Sequence, residues 1–342
     1  MKTHKSLWEL LVSRENFDLA GTRALKHKKK TREIQRFLDN REELTERLRL
    51  SVRDGLFTTS QYRVKTIHEP KKREIYILPF YPDRIVHHAI MNVLIPIWDK
   101  MFISDSYACR PGRGIHSASR RCMQFVRRNK YFLQCDVRKF YPSINHRIML
   151  DLISHKVRDK KLMRLIENII HSVDGDTNMP IGNFCSQWFG NLYLHSLDMF
   201  VKHELKCRDY LRYCDDFCLF SDDKGELREW LGKMRAFLSD KLRLSFSYAE
   251  VSPGAGGVDF LGYRHFLDCV KLRKSTFFRI RKRLKRILSI PAESRMQDKR
   301  VIGQIGSMHG WLKHARSNIR IHAIMDEEKG TKATSDKIQA AG

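Results

Sequence analysis

The sequence predicts an α+β fold that opens with a helical N-terminal region. Two patterns carry this reading. Through residues 1–55 apolar positions recur at helical spacing, as Leu44, Leu48 and Val52 do. Further on, short apolar runs of strand length alternate with longer amphipathic stretches and end in Gly, Pro, Asp or Asn. Charge adds a third observation. Lys and Arg total 65 against 39 Asp and Glu, a net charge of +26. A positive field of this size, spread along the whole chain, points to a polyanion, with nucleic acid first among them. An apolar share of 42% is enough for a real core and excludes wholesale disorder. No run of eighteen apolar residues exists, so no membrane span is expected. No small-residue cleavage site follows the short apolar stretch from Leu7 to Val12, so no secretory signal is expected.

The elements follow in order. Residues 1–55 read as charged helices and include the basic run from Lys26 to Arg32. Tyr62, Val64, Thr66 and Ile67 read as a strand, Glu69 to Arg73 as a turn, and Ile75 to Leu78 as the returning strand, a hairpin with a basic tip. A helix is expected from about Asp83 to Asp99. Tyr131 to Val137 is a short apolar strand carrying Asp136 near its end. Pro142 then breaks the chain, and Ile148 to Ile170 reads as amphipathic helix. Gly175, Pro180 and Gly182 mark a loop before a helix from about Cys185 to Cys207. Tyr210 to Phe220 places apolar residues on both sides of Asp215 and Asp216, a hairpin with the acids at its turn. A helix over 227–241, a strand over 244–248 and a second hairpin beginning at Phe260 come next. From Lys271 to Arg286 every charged residue is basic, and the segment from Asp326 reads as a polar tail. None of the eight cysteines forms a Cys-x-x-Cys pair, so zinc-ribbon spacing is absent and the thiols are expected to be reduced.

The carboxylates carry the chemistry. An acid at the end of an apolar strand is costly unless it is paired or binds metal. Asp136, Asp215 and Asp216 stand in such places, and two adjacent acids repel each other unless a cation joins them. Three carboxylates converging from separate strands suit two Mg²⁺ ions about 3.5–4 Å apart, the clamp of in-line phosphoryl transfer. One ion would acidify an attacking hydroxyl and the other would hold a triphosphate and its leaving pyrophosphate.

Tyr213-Cys214-Asp215-Asp216 resembles the Tyr-x-Asp-Asp box of reverse transcriptases. Asp136 to Ile144 is similar to the first catalytic motif of their palm, and Phe260-Leu261-Gly262-Tyr263 to the primer-grip hairpin. Pro180-Ile181-Gly182, followed by Ser186-Gln187, resembles the reverse transcriptases of diversity-generating retroelements, relatives of the group II intron enzymes. So do Tyr107 to Gly114 and Glu69 to Arg73. The resemblance covers about residues 60–320.

It implies a right-hand polymerase: an N-terminal helical region at 1–58, fingers at 59–130, a palm at 131–268 with a fingers segment at about 142–185, a helical thumb at 269–325 and a flexible tail at 326–342. Asp136, Asp215 and Asp216 would be catalytic and would hold two Mg²⁺ ions with the Val137 carbonyl. Lys71, Lys72 and Arg73 would sit over the incoming dNTP. Tyr141, five residues after Asp136, would be the sugar gate that rejects a 2′-hydroxyl. Ile181 and Gly182 would line the nascent pair. Most relatives carry Gln where Ile181 stands. Ile181 has no hydrogen-bond donor, so the resemblance implies error-prone copying, chiefly opposite template adenines. Arg110, Arg113, Gln187, Lys271, Arg273, Lys274, Arg281, Lys282 and Arg283 would contact template RNA and the RNA/cDNA duplex.

Many relatives carry a Lys soon after the catalytic hairpin; Leu244 to Glu250 has none, so no protein-borne general acid is assigned. No RNase H, DNA-binding or endonuclease segment is expected after the thumb. A small basic oligomeric accessory protein is the implied partner, and a cytoplasmic setting in a bacterial, archaeal or phage system is the implied location. The alternatives are a domesticated or phage-defence reverse transcriptase, which Ser186-Gln187 disfavours, and a nonenzymatic RNA-binding protein, which the three intact acids disfavour.

Overall fold

A computed structural model describes residues 3–26, 28, 31–68 and 72–315. Lys71 and the proposed tail at 326–342 lie outside the described residues, as does the end of the proposed thumb beyond 315. The chain divides into two compact units. The first comprises Met1–Arg113, Gln134–Phe217 and Arg228–Glu250; the second comprises Gly114–Leu133, Cys218–Leu227 and Val251–Gly342.

The first unit opens with the expected helices: α1 (Trp8–Leu11), α2 (Arg14–Leu25), α3 (Arg32–Asp39) and α4 (Arg41–Arg53). Side-chain caps set two of their starts. Ser13 accepts from the Asn16 amide, and Thr31 accepts from the Ile34 amide. Phe17, Ala20 and Ala24 of α2 are buried, and α2 packs against α5 (Ile85–Trp98). Asn16 ties the two together by donating to the carbonyls of Leu11 and Ala89. Strands β1 (Arg63–Ile67) and β2 (Arg73–Ile77) form the predicted antiparallel hairpin, pairing Ile67 with Arg73.

Between Asp136 and the Asp215–Asp216 pair the sequence suggests one long helix over 148–170, but the chain makes two, α8 (His146–Ser154) and α9 (Lys160–Ile170). Asp159 divides them. Its carboxylate caps α9 by accepting from the Lys161 and Leu162 amides, and also takes the Leu7 and Trp8 amides at 2.9 Å. One buried acid thereby closes two helix starts. Ahead of them comes the short α7 (Phe140–Ser143), and after the loop comes α10 (Phe184–Met199), largely buried.

A four-stranded sheet has the order β4-β5-β3-β6, from β3 (Tyr131–Val137), β4 (Tyr210–Tyr213), β5 (Asp216–Ser221) and β6 (Phe246–Pro253). Helix α11 (Lys224–Leu242) leads into β6. In the first unit, the Arg138 amide donates to the Ser245 carbonyl at 2.8 Å, and Phe217 packs on Phe246 with ring centroids 5.9 Å apart.

The second unit contains a helix beyond those expected, α6 (Ile115–Arg128). It also holds a three-stranded antiparallel sheet of β7 (Val258–Phe260), β8 (Tyr263–His265) and β9 (Val270–Leu272). Leu261 and Gly262 form its first turn, both with positive φ, at 55° and 80°. A Cβ on Gly262 would come within 3.0 Å of the Trp311 ring, so glycine is required both by conformation and by space. Helices α12 (Lys274–Leu288), α13 (Ala292–Gln297) and α14 (Lys299–His314) complete the unit. Ile280, Leu284 and Ile287 of α12 pack with Val301, Met308 and Leu312 of α14.

A histidine network joins α6, β8 and α14. The hydrogen bonds assign its protons. His265 Nδ1 lies 3.1 Å from the Val258 carbonyl, so Nδ1 carries the hydrogen and Nε2 is an acceptor. Ser119 therefore donates to His265 Nε2 and accepts from His314 Nε2, each at 2.7 Å. Burial pushes both His265 and His314 down to about 4, which keeps this directed chain neutral near pH 7.

Candidate active site

Strand β3 places Asp136 as its penultimate residue, half-buried, while Val137 beside it is buried. Strand β5 is the sheet neighbour of β3 and begins at Asp216. The β4–β5 hairpin turns on Cys214 and Asp215, so only one of the two adjacent acids lies in the turn and the other opens a strand. Both are half-buried. Cys214 takes φ 53°, the left-handed conformation this tight turn requires. Ser247 of β6 donates to the Asp136 carboxylate and fixes its orientation. Among the described residues no group of three or more His, Cys, Asp or Glu is gathered tightly enough to hold a metal ion. The chemistry of the donors still suits a hard divalent cation: half-buried carboxylate oxygens on adjacent strands, with a strand-end carbonyl beside them.

The hairpin is held from behind by a buried ion pair. Arg212 of β4 and Asp198 of α10 are both fully buried, and Arg212 Nη2 lies 2.6 Å from Asp198 Oδ2. Arg212 Nε and the Tyr210 hydroxyl both donate to Asp198 Oδ1 at 2.7 Å. Arg212 Nη1 donates to the Asn191 side chain and to the Cys214 carbonyl, each at 3.1 Å, so the pair reaches directly into the turn. Burial alone would push the guanidinium down; the charge of Asp198 and its hydrogen bonds outweigh that and hold it above its ordinary value. The sequence reading missed this support. Its signal was a polar stripe, Asn191, His195 and Asp198, on a largely apolar helix.

Tyr141 is half-buried beside α10, where Gly190 makes room for it. A Cβ on Gly190 would lie 3.3 Å from the Tyr141 ring and 3.1 Å from Phe140. Burial pushes the Tyr141 phenol up, and the charges of Cys214, Cys109 and Asp215 add to the shift.

The loop before α10 docks on β2. The Tyr76 amide donates to the Ile181 carbonyl at 2.7 Å. Gly182 has φ 132°, and a Cβ there would sit 2.2 Å from the Tyr76 carbonyl oxygen. Its role is close backbone approach. Ser186 donates to the Pro180 carbonyl at 2.7 Å and pins the loop's start. Ile181 is half-buried, and Gln187 is exposed on α10.

The expected cations divide into two kinds. Lys72 and Arg73 are exposed at the hairpin tip. Arg110 departs from expectation. It is buried, with Nε 2.6 Å from Asp99 and its other nitrogens donating to the carbonyls of Asp99, Ile103 and Ser106. It shapes its loop and offers no free charge to a phosphate. Arg113 is half-buried, donates to the Ser104 carbonyl and lies over the Tyr107 ring. In the second unit Lys271, Lys274, Arg281, Lys282 and Arg283 are exposed, whereas Arg273 is paired with Asp259 at 2.6 Å.

A family model described as reverse transcriptase (RNA-dependent DNA polymerase) matches residues 67–265, more than half of the chain. The chain belongs to the reverse transcriptase family. Its fold is that of a right-hand polymerase carrying an N-terminal helical region. Among curated relatives, this reverse transcriptase-family chain is 26% identical over 172 residues to the group II intron-encoded protein LtrA of Lactococcus lactis, an alignment covering 47% of this chain and 28% of LtrA. It is 24% identical over 234 residues to protein YkfC of Escherichia coli, covering 55% of this chain and 61% of YkfC. The chain thus spans less than two thirds of either relative. A solved structure of apo telomerase from Candida tropicalis is similar with a TM-score of 0.49 and 12% identity, over 71% of this chain and 54% of that one. No described helix is long and apolar enough to cross a membrane.

Proposed function

We infer that this protein is an RNA-directed DNA polymerase that copies a template RNA into adenine-mutagenised cDNA for a diversity-generating retroelement. The observation that carries the polymerase reading is the placement of Asp136 and Asp216 on neighbouring strands, with Asp215 in the adjoining turn, inside the segment matched by the reverse transcriptase family. Asp136, Asp215, Asp216 and the Val137 carbonyl would hold two Mg²⁺ ions, which would activate the primer 3′-hydroxyl and steady the leaving pyrophosphate. Ser247 orients the Asp136 carboxylate, and Arg212 anchors the turn bearing Asp215. Lys72 and Arg73 neutralise the incoming triphosphate, and the Tyr141 ring excludes a 2′-hydroxyl. Residues 59–130 act as fingers, 131–268 as palm and 269–325 as thumb. The exposed cations of α12 track the backbone of the template–primer duplex, with affinity falling steeply as salt rises. The partners are a template RNA, dNTPs and a small basic oligomeric accessory protein, in the cytoplasm.

Ile181 supports the mutagenic subgroup. Its backbone is fixed on β2 and its side chain is half-buried, so the position is ordered yet has no polar group to offer a base pair. Primer extension on a defined RNA with dNTPs and Mg²⁺ tests the reading. The expected product is cDNA with errors concentrated opposite adenines. Faithful cDNA would keep the polymerase and favour a domesticated or defence enzyme, and an absence of product with the accessory protein supplied would overturn the polymerase reading. Ile181→Gln is expected to lower misincorporation several-fold at similar yield; an unchanged error rate would remove Ile181 from the explanation.

A further inference from the structure

The residue between Tyr213 and the two catalytic acids is a cysteine, and a second cysteine meets it. The segment before Cys109 runs beside β4. Ser106 pairs in parallel with Arg212, the Tyr107 amide donates to the Arg212 carbonyl at 3.0 Å, and the Arg212 amide donates to the Asp105 carbonyl at 2.9 Å. Asn191 holds the next carbonyl, that of Ala108, at 2.9 Å. This pairing brings the end of the segment, Ala108 and Cys109, alongside the turn at Cys214, where the two thiols interact. Both residues have positive φ, 59° at Cys109 and 53° at Cys214. Glycine or asparagine is the usual occupant of such a conformation, so two cysteines there, in mutual contact, ask for a reason that lies in the side chains. Cys109 is exposed and Cys214 half-buried, so a small solute reaches the pair; Cys122, Cys135, Cys185, Cys207 and Cys218 are buried.

We propose that Cys109 and Cys214 form an oxidation site, a reversible disulfide that arrests the active site in the presence of a peroxide. The exposed Cys109 sulfur attacks a peroxide oxygen. The O–O bond breaks and one oxygen leaves as water with the thiol proton, giving a sulfenic acid. The Cys214 sulfur then displaces that hydroxyl as a second water and forms the S–S bond. Two thiols are oxidised and one hydrogen peroxide is reduced to two waters. The bond ties the 106–109 segment to the turn that precedes Asp215, beside Tyr141. The turn can then no longer adjust as the carboxylates gather around their ions. A thiol reductant attacks the exposed Cys109 sulfur and reverses the change.

The arrest rests on the polymerase reading; the bond itself does not, and the experiment separates them. The protein is treated with hydrogen peroxide, remaining thiols are blocked with a maleimide, and a non-reducing digest is analysed by mass spectrometry beside the primer-extension assay. The expected result is a Cys109–Cys214 cross-linked peptide, two hydrogens lighter than its parts, with extension lowered at least tenfold and restored by dithiothreitol. Cys109→Ser is expected to extend primers normally and to resist peroxide. Full maleimide labelling of both cysteines after peroxide overturns the site. A cross-link that leaves extension unchanged overturns the arrest. A cross-link in a protein that extends no primer under any condition leaves the site standing and overturns the polymerase reading.

Discussion

Replacing Asp215 and Asp216 together by Ala is expected to abolish DNA synthesis while leaving RNA binding and stability close to those of the parent. The two carboxylates are half-buried, at the turn and the first residue of β5, and contribute little apolar burial to the core. Removing them opens no cavity in the core, so the melting temperature is expected to change little. Binding of RNA draws on the exposed cations of α12 and on a net charge of +26, neither of which the substitutions reduce. On the proposed two-metal chemistry, catalysis alone depends on the acids. Metal-borne charge stabilisation is worth several kcal/mol, and each 1.4 kcal/mol is about tenfold in rate, so extension falls by about 10³-fold or more. Extension at the parental rate, in a protein that melts and binds RNA normally, would sink the assignment of Asp215 and Asp216.

The separation of roles also explains which parts of this molecule its sequence makes legible. The proposed catalytic acids stand out because they violate a local rule: Asp136 and Asp216 occupy strand positions flanked by Cys135, Val137 and Phe217, where an acid is costly without a function. The β1–β2 hairpin and the helical character of residues 1–55 follow from period, which is a local signal. What escapes the sequence is non-local. The division of the 148–170 stretch depends on Asp159 accepting the amides of Leu7 and Trp8, about 150 residues away along the chain. Arg110 lies in a motif rich in basic residues, and nothing in its neighbours shows that Asp99 and three carbonyls consume its donors. Gly182 reads as a loop glycine; its close approach to the Tyr76 carbonyl becomes visible only when β2 and the loop are brought together. The contact between Cys109 and Cys214 is of the same kind, made by a bridge between Ser106 and Arg212.

Asp198→Ala is expected to produce the largest loss of stability of any single substitution at the site, about 3–5 kcal/mol. The carboxylate accepts three hydrogen bonds, from Tyr210 and from two nitrogens of Arg212, and both members of the ion pair have no exposed side-chain surface. Its removal leaves a buried guanidinium without a counter-charge and a buried phenol without an acceptor, in a fold whose total stability is of the order of 5–15 kcal/mol. Chemical denaturation followed by circular dichroism reads the effect as a lowered midpoint at unchanged slope. The double variant Asp198→Leu, Arg212→Met removes both charges and fills their volume, and it is expected to regain most of the lost stability, because a buried pair offsets little more than its own desolvation. DNA synthesis is expected to stay low in that variant. Arg212 Nη1 is the donor that holds the Cys214 carbonyl, and methionine cannot supply it, so the turn before Asp215 loses its anchor while the core recovers. Recovery of stability together with full synthesis would show that the pair serves the core alone. Stability regained without synthesis would make Arg212 a positioning residue, the link by which a helix buried behind the sheet sets where Asp215 stands.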